Sequence, residues 1–258
     1  MILDKIIEVK KEGVAHLRRI RPLRELKHAI LDLPSPRNFH EAISGRECAI
    51  IAELKRRSPS KGILREDFDP ARIAVIYEES GAAAVSVLTD RAFFGGDEAH
   101  LADIKECVRL PLLRKDFIID LYQIYETRYV QADAILLIAG ILEKEQLREY
   151  SGLAQSLGLS VLCEIHSHGE LDKALASDAK FIGINNRDLM TFSVDLKTSI
   201  SIAASIPADR IIVSESGIRS RRDIETLTKA GIHAFLIGET LMTSDNMGRK
   251  LRELLGKE

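Results

Sequence analysis

Glu53, Lys55, Lys115, Glu164, Asn185, Arg187 and Glu215 all stand at the C-terminal ends of short apolar runs. Three cations, three carboxylates and an amide suit proton transfer on a carbon skeleton, because neighbouring cations depress a lysine's pKa while burial raises a glutamate's. All seven share one parity. Successive side chains of a β-strand point to opposite faces. In CAIIAELK this puts Ala49, Ile51, Glu53 and Lys55 on one face and Ile50, Ala52 and Leu54 on the other. Leu113, Lys115 and Phe117 share a face in the same way, as do Leu162 with Glu164, Gly183 with Asn185 and Arg187, and Ile211 with Val213 and Glu215. One face should be uniformly apolar while the other turns ionic at its end. A structural ion-pair cluster is the competing explanation, but burying so many charges without use is costly.

The elements that must position these groups repeat along the chain. Apolar runs rich in Val, Ile and Leu end near positions 53, 88, 115, 138, 164, 185, 215 and 238, with helical-period segments between them. Strands alternating with helices at this interval predict βαβ units and a parallel sheet. Eight units predict a closed (β/α)8 TIM barrel in preference to an open doubly wound sheet, which usually places a phosphate loop after its first strand. The segment following the first run is RRSPSKG, with no such pattern. Asp69-Pro70, Asp97 and Ser220 read as helix starts, and Gly81 and Gly231 as stops. Residues 1–258 read as a single barrel domain, of which 1–47 is an N-terminal helical extension. Ile2, Ile6, Val9 and Val14 give it one apolar stripe, Leu23, Leu26 and Ile30 a second, and Pro34 and Pro36 break the chain before NFHEAI. These two or three helices could cover the barrel's bottom, join the rim of the site, or serve an oligomer contact.

In such barrels the functional groups come from the C-terminal strand ends and the loops after them. Ser214 to Ile218 and Ile237 to Thr240 are small, glycine-bearing turns after the last two runs. Turns of this kind let backbone N–H groups approach an anion, so phosphate is the expected ligand component.

Bulk properties narrow the class. The chain has 37 basic and 39 acidic residues and 5% aromatics, which does not suit a nucleic-acid partner. Cys48, Cys107 and Cys163 form no CxxC pair, which disfavours a disulfide framework or structural zinc and predicts a cytoplasmic protein; Cys48 and Cys163 are expected inside strands. No apolar run has the length of a membrane span, and MILDKIIEVKKEG lacks a signal-peptide cleavage site. The seven histidines suggest no metal set, and His166 is expected to be a solvated loop residue. Neither metal nor cofactor is expected, and a monomer is expected in preference to a homo-oligomer.

The strings IIAELKRRSPSKG, SVLTDRAFFGGD, LLRKDFIID, LCEIHS, IGINNRDL, VSESGI and FLIGETLM, in that order, resemble the indole-3-glycerol phosphate synthase family across the whole barrel. The resemblance implies a lyase of tryptophan biosynthesis that closes the ring of 1-(2-carboxyphenylamino)-1-deoxyribulose 5-phosphate with loss of carbon dioxide and water. It implies Lys115 as general acid at the substrate carbonyl, Glu164 in proton transfer at dehydration, and Glu53 and Lys55 in a second proton step. Asn185 and Arg187 would bind the anthranilate carboxylate and sugar hydroxyls, with Glu215 orienting them. Phosphate would sit against Ser216, Gly217, Gly238 and Glu239, near Lys55 and Ser58, while Phe94, Phe117, Leu136 and Leu189 enclose the aromatic ring. Glu239 stands where a serine can occur, so its contact is expected through its backbone N–H with the carboxylate turned away. A related isomerase, a barrel of the α-subunit type, and a phosphate-binding scaffold without chemistry are the competing readings. Two lysines at strand ends argue against the first two.

Overall fold

A computed structural model describes residues 2–188 and 191–257. Among these, eight parallel strands close into a barrel: β1 Ala49–Leu54, β2 Ala84–Leu88, β3 Leu112–Lys115, β4 Ala134–Ile138, β5 Ser160–Ile165, β6 Phe181–Asn185, β7 Ile211–Glu215 and β8 Ala234–Ile237. Neighbours in sequence are neighbours in the sheet. Pairing of β1 with β8, from Ala49↔Ala234 to Ala52↔Ile237, completes the ring. The (β/α)8 expectation holds, and every strand ends within one residue of the position marked by its apolar run. Cys163 lies in β5, whereas Cys48 falls just before β1.

Local chemistry starts and stops the helices where the sequence suggests. Asp69 accepts the N–H of Arg72 and Pro70 opens Pro70–Glu79, while Gly81 takes φ +95° beyond its end. Ser220 and Asp223 form a reciprocal capping box on Arg221–Thr228, and Asp97 accepts the N–H of Ala99.

Strand parity sorts the core into two layers. Ala49, Ile51, Leu113, Ala134, Leu136, Leu162, Phe181, Val213, Ala234 and Leu236 fill the barrel interior. Ile50, Ala52, Leu54, Val85, Leu137, Cys163 and Ile184 pack outward beneath the helices. The outer layer is not uniformly apolar, however. Arg114, on the outward face of β3, is buried and donates to Glu126 Oε2 at 2.7 Å, Asp116 Oδ2 at 3.3 Å, and the hydroxyls of Thr89 and Thr127 at 3.2 Å. Charge is tolerated there because the helix Leu121–Tyr129 carries Glu126 and Thr127 directly over β3.

The extension forms three helices among the described residues: α1 Ile2–Ile20, α2 Leu23–Ala29 and α3 Phe39–Ile43. Val14 and Leu26 pack with Tyr122 on the helix after β3, whereas Val9, counted in the apolar stripe, is 43% exposed. α3 plugs the N-terminal end of the barrel: Phe39 and Ile43 join the interior cluster, with Phe39 edge-on to Phe181 at 5.1 Å. Arg37 pins the approach to α3, its N–H reaching Asp133 at 2.6 Å and its guanidinium the carbonyls of Leu110 and Lys105. At the opposite end, Lys10 of α1 pairs with Asp116 at 2.7 Å and Asp90 at 3.0 Å. The extension therefore holds both ends of the barrel.

Candidate active site

The C-terminal strand ends open into a cavity lined by every predicted site residue that the structure describes: Glu53, Lys55, Ser58, Phe94, Lys115, Phe117, Leu136, Glu164, Asn185, Arg187, Glu215, Ser216, Gly217, Gly238 and Glu239. Leu189 lies outside the described residues. At the centre, Lys115 Nζ stands 2.7 Å from Glu164 Oε2 and 3.3 Å from Glu215 Oε2. Asn185 Nδ2 donates to Glu164 Oε1 at 3.3 Å, and Lys55 Nζ lies 2.5 Å from Glu53 Oε2. Two glycines make these approaches sterically possible. A Cβ at Gly183 would collide with the Glu215 carboxylate, and one at Gly238 with that of Glu53.

The electrostatics differ from the sequence expectation for the lysine. Burial acts to lower the pKa of Lys115, but the carboxylates of Glu164, Glu215 and Glu53 outweigh it and the ammonium is stabilised. The groups that act on it most strongly are anions, so its pKa is raised where the sequence reading expected it to be depressed. Burial raises Glu215, the charge of Glu164 raises it further, and together they outweigh Lys115 and push it up to about 8. Glu164 is held well below the usual carboxylate range: Lys115 and then His166 outweigh its burial. Two carboxylates facing one lysine thus divide into an ionised Glu164 and a protonated Glu215.

The anion-facing side combines β7, β8 and the segment after β1. Ser216 and Gly217 both adopt left-handed φ, +66° and +84°, which for serine is a strained conformation of the kind that collects at functional sites. Buried Asn186 fixes this turn by donating to the carbonyls of Glu215 and Ser216, while its Oδ1 accepts from Ser199. Gly238 caps the short helix Glu239–Met242 without any side-chain bond to its first N–H groups. The RRSPSKG segment is a two-stranded hairpin with Arg57 opposite Ile63. It carries Ser58, whose buried Oγ, like Glu215 Oε1, has no hydrogen-bond partner among the described residues. The carboxylate of Glu239 is not turned away from this region. It bridges Lys61 Nζ at 2.6 Å and Arg187 at 3.2 Å, because the hairpin brings Lys61 across the mouth.

Several wall residues were not singled out by spacing. Ile2, Leu3 and Ile6 of α1 reach the cavity, as do Leu88 and Phe192. The apolar stripe containing Ile2 and Ile6 was the available signal, but a stripe does not say which end of a barrel it meets. Phe94 and Phe117 face each other at 6.0 Å. His166 is not a solvated loop residue: its side chain is 13% exposed and its Nε2 is 3.4 Å from Glu164 Oε1.

A family model for indole-3-glycerol phosphate synthase matches residues 3–254. The chain belongs to the indole-3-glycerol phosphate synthase family. Relatives bearing that name include one from Alkaliphilus metalliredigens, 48% identical over 98% of both chains, and one from Aromatoleum aromaticum, 46% identical over 99% of both. Among solved structures, a thiamine phosphate pyrophosphorylase from Pyrococcus furiosus aligns with TM-score 0.60 at 15% identity, covering 82% of this chain and 95% of its own. That likeness concerns the barrel alone. Family membership and the barrel mouth agree on where the chemistry of an indole-3-glycerol phosphate synthase would be sought. Among the described residues no helix is long and apolar enough to cross a membrane.

Proposed function

We propose that this chain converts 1-(2-carboxyphenylamino)-1-deoxyribulose 5-phosphate into indole-3-glycerol phosphate, carbon dioxide and water, as a step of tryptophan biosynthesis. The observation that carries the residue assignment is the lysine between two carboxylates: Lys115 is 2.7 Å from Glu164 and 3.3 Å from Glu215.

In this reading the Lys115 ammonium protonates the substrate carbonyl oxygen while the carboxylate-bearing ring carbon attacks the carbonyl carbon. Carbon dioxide then leaves and the ring regains aromaticity. Dehydration follows, with Glu164 and the Glu53–Lys55 pair handling its protons. Asn185 and Arg187 hold the carboxylate and hydroxyls, with Glu215 orienting them. Phe94, Phe117 and Leu136 enclose the aromatic ring. The phosphate sits on the N–H groups of Ser216, Gly217, Gly238 and Glu239, with Ser58 and Lys55 beside it. These steps use only acid–base groups of the chain. Every group invoked comes from one chain, which suits a monomer, and three free cysteines suit the cytoplasm.

The test is direct because the product is an indole and the chain has no Trp. Purified protein mixed with the substrate should develop indole fluorescence. A folded protein that binds the substrate without that signal would be a phosphate-binding scaffold, and the proposed activity would be wrong.

A further inference from the structure

The reaction proposed above, on which this inference rests, has a proton balance that the central cluster does not explain. The ketone oxygen leaves as water and so acquires two protons. One is matched by the proton lost from the methylene beside the nitrogen, and the bond pair of the departing carboxylate returns to the ring as carbon dioxide leaves. One proton per turnover must therefore enter from solvent. Yet Glu53, Glu164 and Glu215 are 4%, 3% and 1% exposed, and a substrate seated in the mouth would cover them further.

A line of titratable groups leads from this cluster toward the surface behind β5. Glu164 divides its oxygens: Oε2 faces Lys115, and Oε1 faces Asn185 and His166 Nε2, the latter at 3.4 Å. The other ring nitrogen of His166, Nδ1, is 3.7 Å from Glu170 Oε2, which also accepts the His166 backbone N–H at 2.8 Å. Glu170, on the helical turn His168–Glu170, is 25% exposed in its side chain. His166 Nε2 is buried and, though within ion-pair distance of Glu164, is not aligned for a hydrogen bond. A Cβ at Gly140 would come within 3.1 Å of Glu170 Oε1, so the loop after β4 leaves room for this carboxylate.

We propose that His166 and Glu170 form the proton inlet of this site, His166 being a positioning residue that acts through Glu164. Cationic His166 passes its Nε2 proton to the ionised Glu164, which delivers it to the departing hydroxyl and returns to the carboxylate. The neutral ring keeps its Nδ1 proton, turns to bring the bare Nε2 beside Glu170, takes a proton there from water and returns as the cation. No electrons move, and the inlet supplies one proton per cycle. The groups facing the ring are Glu164 from β5, Glu170 from the following turn and, farther off, Glu215 from β7, with Lys115 of β3 beyond Glu164. Burial acts to lower the His166 pKa, but Glu170 and Glu164 outweigh it and favour the charged ring.

His166→Gln and Glu170→Gln in the full chain test this, alongside the wild type and with folding checked by circular dichroism. His166→Gln should lower kcat about tenfold with KM nearly unchanged, and added imidazole should restore part of the rate. Glu170→Gln should move the alkaline fall of kcat to lower pH and lower the His166 titration midpoint followed by NMR. Wild-type turnover with unchanged kcat and pH profile in both variants overturns the inlet alone. So does a His166→Gln loss that appears as raised KM and does not respond to imidazole. A wild-type chain that forms no indole overturns the reaction and the inlet with it.

Discussion

Lys115 meets two carboxylates that outweigh its burial, so it stays protonated through neutral pH and is suited to donate a proton early in the cycle. Replacing it with Ala should reduce kcat by about 10²- to 10⁴-fold, and Glu164→Gln should cost a comparable factor, both with native circular dichroism. Wild-type-like turnover in either variant would remove that residue from the mechanism. Glu215 gives a second expectation, read in stability. Its folded pKa of about 8 lies above the ordinary 4.5, so the folded state binds the extra proton and stability drains away as pH rises between those values. Thermal melts over that window should show the wild type losing stability relative to Glu215→Gln as pH increases; parallel curves would contradict it. These side chains were legible in the sequence because a period of two places every one of them on the barrel's inner face. Arg114 and Asp116 escaped the same rule, because their partners Glu126 and Lys10 come from helices. His166 escaped it because its meaning depends on how the chain turns after β5 to bring Glu170 back.

The strand repeat, the caps and the three helices of the extension could be read from apolar period and turn chemistry, but where the extension docks could not. α3 turns out to close the barrel floor, where Phe39 is fully buried against Phe181. Phe39→Ala should destabilise the protein by about 3–5 kcal/mol in denaturant melts while leaving KM close to wild type, since the cavity opens at the end away from the site. The hairpin after β1 was also beyond sequence reading, because RRSPSKG carries no alternating apolar pattern to announce two strands. Its Lys61 crosses to Glu239, which also engages Arg187. That carboxylate sits where the phosphate is proposed to bind, so Glu239→Ser should lower KM several-fold with little change in kcat, and the difference should shrink as salt is added. An unchanged KM would show that the bridge neither blocks nor orders the anion site.

Across the chain, the two ends of the barrel do different work. The floor is apolar and pinned by Arg37, whereas the mouth carries a strained Ser216 and oxygens of Ser58 and Glu215 that have no partner among the described residues. A ligand that satisfies these groups should stabilise the fold as a unit. At a hundred times its Kd, a product that binds only the native state adds about 2.7 kcal/mol, readable as a rise in Tm that scales with ligand concentration. Absence of any shift at saturating product would count against the site. The closing seam has a consequence in time. Ala49 pairs with Ala234, about 185 residues further along the chain. At roughly 5–20 residues per second, a ribosome takes on the order of ten to forty seconds to deliver β8 after β1 has been made. Through that interval the first strand emerges with one edge bare. During synthesis the chain must therefore keep that edge from pairing with a neighbouring nascent chain until its own last strand arrives.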